Sequence, residues 1–159
     1  TGSDNTCLGS SAGDNITTGS RNVCLGASSN PVNATVDDTI TLGSSGINTL
    51  RCQQTSITGL SDERDKTAIE DLSIGLDFIN TLKPRKFTWS MREPSALDGK
   101  TETGFIAQEL QSAEKSIDYL GLVMDANPEK LEAAPAKLIP IMVKAIQELS
   151  AKVTALEAG

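Results

Sequence analysis

A serine hydroxyl becomes a nucleophile only when something takes its proton, and this chain contains no histidine to do so. Neither a Ser-His-Asp triad nor a Cys-His pair can be assembled, so a serine here needs another base. A desolvated lysine amine can serve. Ser61 and Lys66, in the run Gly59-Leu60-Ser61-Asp62-Glu63-Arg64-Asp65-Lys66, supply such a pair. An unperturbed lysine at neutral pH is deprotonated in only roughly one molecule in a few thousand. Apolar burial lowers that threshold, whereas neighbouring acids such as Asp62, Glu63 and Asp65 raise it. A working site must therefore aim those carboxylates elsewhere. Residues five apart lie about 140° apart around a helix and on opposite faces of a strand. A bend held by the surrounding fold is needed, so the dyad is expected only after folding, which would gate its chemistry. Taken locally, the same residues also describe a solvated charged turn.

The motif sits where the composition changes. Residues 1–60 hold none of the five aromatics, four of the twenty-one acids and two of the fourteen basic residues. They are rich in Gly, Ser, Thr and Asn, and they repeat. Cys7-Leu8-Gly9-Ser10-Ser11 recurs as Cys24-Leu25-Gly26-Ala27-Ser28 and as Thr41-Leu42-Gly43-Ser44-Ser45, seventeen residues apart each time. A unit with so short an apolar step cannot bury its own side chains, and stacking is the remedy. Winding several chains about one axis would bury Leu8, Leu25 and Leu42 in successive layers. The expectation is a trimeric β-stalk rather than a Ser/Gly linker, with Cys7 and Cys24 as small buried apolar residues.

Residues 61–159 have the balance of a globular domain. Leu76 to Leu82 reads as a short helix stopped at Lys83-Pro84, and Arg85-Lys86-Phe87-Thr88-Trp89 alternates as a strand does. Met91 to Thr103, with Pro94, Asp98 and Gly99, reads as a loop or hairpin tip. Gly104 to Leu110 starts strand-like and passes into a helix, and Tyr119 to Val123 is a further strand candidate. A long helix is expected over about 136–158. There Ile139, Met142, Ile146, Leu149, Val153 and Leu156 are spaced 3, 4, 3, 4, 3. This a/d seam suits association of three helices, although a helix packed within its own chain gives a similar stripe. Pro140 falls near the first turn, where proline is tolerated. The fold class expected is α+β: a repetitive β-stalk over 1–60, then a small mixed domain over 61–159 ending in the helix.

Four segments in order carry a resemblance: Ser61 to Ile69; Leu82-Lys83-Pro84 with Phe87-Thr88-Trp89; Gly104-Phe105-Ile106-Ala107-Gln108-Glu109; and Leu138-Ile139-Pro140 with Ala145 to Leu149. Together they resemble the C-terminal intramolecular chaperone domain of phage endosialidase tailspikes and tail fibres. The resemblance implies a domain that trimerises, guides folding of the preceding stalk and then cuts itself off with a Ser-Lys dyad. Ser61 and Lys66 fall at the dyad's positions, so the implied scissile bond is Leu60–Ser61. It also implies synthesis in an infected bacterium, with the stalk passing to the virion tail. A longer segment, Gly121 to Ala136, departs from the family's pattern.

The net charge of −7 argues against a nucleic-acid grip, and no apolar run suggests a membrane span or signal peptide. No cofactor or metal site is expected, since histidine ligands are impossible and no phosphate loop precedes a helix. Three cysteines without CxxC spacing fit buried or reduced thiols. The sequons at Asn15 and Asn33 carry little weight without a secretory signal. The first residue, Thr1, reads as the start of a piece of a longer polypeptide. The expected partners are two further copies of the chain, with its own stalk as folding client. The competing readings are a trimerisation clamp in which Ser61 is inert, and the related self-cleaving domain of membrane-bound transcription factors.

Overall fold

The structure is a computed structural model that describes residues 1–159 except 48, 55 and 94. Pro94, assigned from sequence to the hairpin tip, therefore lies outside the described residues.

In the first sixty residues the repeat becomes three stacked rungs. Strands β1 (Thr6–Leu8), β2 (Val23–Leu25) and β3 (Ile40–Leu42) form one parallel sheet in that order. Cys7 pairs with Cys24 and Cys24 with Thr41, so the register follows the repeat. The stacking lies within a single chain. Each rung enters through a left-handed residue (Asp4, Arg21 and Asp38, φ 59°, 57° and 60°) and leaves through a glycine. At Gly9 the stacking also leaves no room for a side chain: a Cβ there would sit 2.6 Å from the carbonyl of Gly26.

The rungs are held by a ladder that the apolar pattern did not reveal. The Asn22 side chain is fully buried. Its Nδ2 donates to the Val36 carbonyl at 2.8 Å and to Asn5 Oδ1 at 3.2 Å, while its Oδ1 accepts from the Thr39 amide and hydroxyl at 3.1 and 2.7 Å. Asn5, Asn22 and Thr39 are equivalent positions, so each rung completes the hydrogen bonding of the last. A buried amide satisfied in this way locks register where an apolar residue would slide. Beside it Arg21 pairs with Asp38 at 2.6 Å.

Side chains alternate along each rung. Cys24 points inward and is buried, as expected, but Cys7, on the end rung, is exposed. Leu8, Leu25 and Leu42 line the opposite face and are exposed in the single chain rather than layered in a core. Nothing within one chain covers that column among the described residues.

Beyond residue 61 the structure is mixed α/β with small sheets. Helix α1 (Leu76–Thr81) ends at Leu82 before Lys83-Pro84. Strands β4 (Arg85–Thr88) and β5 (Thr101–Gly104) pair antiparallel, so the expected loop shortens to a hairpin tip. Helix α2 (Ala107–Glu114) follows. The strand expected over Tyr119–Val123 is confined to β6 (Val123–Met124), which pairs with β7 (Glu132–Ala133). A 3-10 turn at Pro135–Leu138 leads into α3 (Ile139–Glu157). Phe78, Leu110, Leu120, Leu122, Val123, Leu138 and Ile141 form the core. Two carboxylates brace it: Glu114 accepts from the amides of Leu122 and Val123 at 2.6 and 3.2 Å, and Glu148 from the Leu76 amide at 2.8 Å. Asn33 donates to the Ala126 carbonyl and Asn127 to the Val32 carbonyl, linking the rungs to the segment between β6 and β7.

Candidate functional site

Ser61 and Lys66 meet. Lys66 Nζ lies 2.6 Å from Ser61 Oγ and 3.1 Å from the Ser61 carbonyl oxygen. A single 3-10 turn, Glu63–Asp65, makes the bend. Asp62 caps it, with Oδ1 accepting from the Arg64 amide at 2.9 Å. The Asp65 and Lys66 amides then donate to the carbonyls of Asp62 and Glu63 at 3.2 and 3.1 Å. Lys66 leaves the turn extended, which returns its side chain along Ser61. The bend expected from the surrounding fold is thus local: the short 3-10 turn reverses the chain between two extended residues, Asp62 and Lys66, and so brings the Lys66 side chain back to Ser61.

The sequence-based reading treated the nearby acids only as an obstacle to a neutral lysine. Asp62 has a different role: it is engaged by Arg64, whose Nε and Nη2 donate to it at 2.9 and 2.6 Å. Those bonds, with the Arg64 amide, hold its carboxyl below the usual range. Arg64 thereby keeps one carboxylate turned from the amine. The signal was present in the Asp-x-Arg order, since an aspartate two residues before a turn's donor is a cap.

The closed apolar pocket is where the single chain departs from expectation. Ser61 and Lys66 are both exposed, and Leu60 is 99% exposed. The physical reason is that, among the described residues, no element of the same chain packs over this segment. Contact between amine and hydroxyl is present, but the desolvation that would favour a neutral amine is not.

The helical seam resolves differently from either sequence alternative taken alone. Helix α3 carries two apolar faces. Ile141 and Ala145 are buried, and Glu148 on the same face reaches α1. Ile139, Met142, Ile146, Leu149, Val153 and Leu156 form a stripe centred roughly 100° around the helix from that face and are all exposed. The intrachain contact and the a/d seam are therefore separate surfaces.

Among the described residues there is no His/Cys/Asp/Glu cluster able to hold a metal, and no helix is long and apolar enough to cross a membrane.

Residues 61–121 match the family described as the chaperone of endosialidase. The match opens at Ser61, the residue that heads the Ser-Lys turn, and runs through α1, the β4–β5 hairpin and α2. The match supports a chaperone domain of the endosialidase type in this part of the chain. No curated protein matches the chain, and no solved structure does.

Proposed function

We propose that residues 61–159 form an intramolecular chaperone that gathers three copies of the chain, templates the rungs of residues 1–60 as a fibre stalk, and then severs Leu60–Ser61 using Ser61 and Lys66. The observation that carries the cutting step is the 2.6 Å contact between Lys66 Nζ and Ser61 Oγ, at the first residue of the matched domain. Assembly is supported by two apolar surfaces left uncovered in one chain, the α3 seam and the Leu8–Leu25–Leu42 column. Like surfaces on three copies can close on each other about a shared axis.

The chemistry balances without a cofactor. Neutral Lys66 takes the proton from Ser61 Oγ, and the oxygen attacks the carbonyl carbon of Leu60. The C–N bond to Ser61 breaks, its nitrogen leaves as the amine with a proton relayed from Lys66, and the acyl group rests on Oγ as an ester. Water hydrolyses the ester, restoring the hydroxyl and leaving a carboxylate at Leu60. The exposure of the pair in one chain makes assembly the gate: neighbouring copies close over Lys66, exclude water and favour its neutral form. Release then separates the finished stalk from its template, so that its persistence becomes kinetic. In this reading the protein is made in the cytoplasm of an infected bacterium, and residues 1–60 pass to a virion tail.

The second reading is a permanent trimerisation clamp with an inert Ser61, favoured by the open position of the pair. Electrophoresis of the expressed chain under denaturing conditions, followed by N-terminal sequencing of the shorter product, decides between them. Self-cleavage yields a new chain beginning at Ser61. Ser61→Ala and Lys66→Ala should each leave one full-length band while sedimenting as the same oligomer. Normal cutting by Lys66→Ala would refute the base assignment.

A further inference from the structure

The seventeen-residue register continues past the last observed rung. Counting on from Thr39, Ile40 and Thr41 reaches Ser56, Ile57 and Thr58, with the β-branched pair Ile-Thr repeated and a hydroxyl kept at the ladder position. The linking segment has the same length as between the earlier rungs. In the structure Ile57 is 99% exposed and the segment forms no strand. Strand β3 is meanwhile an edge of its sheet. Beside it lies an open groove of about 1050 Å³, lined by Thr39 to Ser45 and, across from them, by Met124, Lys130 and Glu132.

We infer that Ser56–Thr58 dock as a fourth parallel rung on the outer edge of β3, and that this docking positions the Leu60–Ser61 bond. The hydrogen bonds follow from those already made. The Thr6 amide donates to the Asn22 carbonyl and the Val23 amide to the Thr39 carbonyl, each at 2.8 Å. One rung on, the Ile40 amide meets the Ser56 carbonyl, and the Thr58 amide meets the Ile40 carbonyl. Ile57 stacks over Val23 and Ile40, while Thr58 extends the inward column of Cys7, Cys24 and Thr41. The Ser56 amide faces the Thr39 hydroxyl, as the Thr39 amide faces Asn22 Oδ1.

The rung also ends where cutting requires. Gly9, Gly26 and Gly43 leave their rungs with φ of 137°, 117° and 83°. The equivalent fourth position is Leu60, and a leucine resists that conformation. Pairing therefore stops at Thr58, and Gly59-Leu60 turn out of the stack toward Ser61. A completed stalk would thus hold the bond to be cut, and an incomplete one would leave it loose. Edge addition of a strand is an established way to grip an extended segment.

The positioning half of this inference rests on the self-cleavage reading, whereas the docking half does not. Amide hydrogen exchange on the full-length Ser61→Ala chain, which stays uncut, tests docking alone. In a docked rung the Thr58 amide points to β3 and the Ile57 amide points away. The expected result is Thr58 exchange slower than Ile57 by at least about a hundredfold. Equal, fast exchange at both positions overturns docking. With Ser61 restored, Thr58→Pro deletes an inward donor and should slow cutting about tenfold or more, while Ile57→Pro, on the outward side, should cut near the normal rate. Protection at Thr58 together with unslowed cutting by Thr58→Pro would overturn the positioning role. Absence of cutting in every variant, including the unaltered chain, would refute the protease reading and with it the positioning role, leaving docking to the exchange result.

Discussion

Helix α1 has no cap of its own, and its start depends on a carboxylate from α3. Gly75 at the cap position offers no side-chain acceptor, and the Leu76 amide donates instead to Glu148 Oε2 at 2.8 Å. Glu148 approaches so closely that a Cβ on Gly75 would lie 2.6 Å from it. The carboxylate is the free end of a flexible side chain, so Gly75→Ala should push it aside rather than distort the backbone. The cost is then the lost bond. A helix cap contributes about 1 kcal/mol and a hydrogen bond to a charged group about 1.5–3 kcal/mol. Glu148 is about one-third exposed, which favours the lower part of that range, about 1–1.5 kcal/mol. Urea unfolding of the uncut Ser61→Ala chain should show midpoints lowered by about 0.5–1 M for Gly75→Ala and for Glu148→Ala, with unchanged slope. Both changes break one interaction, so the double variant should be little worse than either single. Glu148→Gln keeps an acceptor and should recover most of the loss. Additive costs in the double variant would refute the reasoning, as would a neutral Gly75→Ala beside a costly Glu148→Ala.

Four further variants test other parts of the structure. Ile146→Asp should abolish the oligomer in sedimentation while leaving the helical circular dichroism of the chain intact. Ile141→Asp, on the buried face of the same helix, should lose the fold itself. Asn22→Ala should lower the unfolding midpoint of the rungs by the equivalent of about 2–4 kcal/mol, because Asn5 and Thr39 lose their shared partner. The carboxyl of Glu109 is held below its usual range chiefly by the side-chain bond from Arg85. Its contribution to stability is therefore complete above the ordinary glutamate pKa and is lost as pH falls through the lowered value. Arg85→Ala should flatten that part of the stability profile between neutral and acidic pH, measured by urea midpoints.

The organisation of the chain could be read from residue types because it rests on periodicity. The seventeen-residue spacing of Cys7, Cys24 and Thr41 foretold the rung register, and the 3, 4 spacing in α3 picked out a stripe of apolar residues that the single chain leaves exposed. Lys83-Pro84 marked the end of α1 for a steric reason confined to neighbouring residues. What escaped that reading were interactions between polar groups distant in sequence. The Asn5–Asn22–Thr39 ladder was hidden because attention to apolar residues passes over buried amides. Glu148 stood out only as a member of the Ala145–Leu149 segment, and nothing near it in sequence pointed to Gly75. The strand assigned to Tyr119–Val123 shrank to two residues, since Gly121 with φ 57° turns the chain inside it.

For the candidate site, the divide lies between composition and contact. Lack of histidine and the Ser61–Lys66 spacing raised a lysine-activated alcohol as one reading beside a solvated charged turn, and the family resemblance of the four segments chose between them. The meeting of the two side chains was decided by folding, through one capped 3-10 turn whose geometry no five-residue spacing implies. Folding also decided which apolar stripe of α3 is consumed within the chain and which is left over. Packing divides a surface between neighbours according to where other elements fall in space, and linear order does not carry that information.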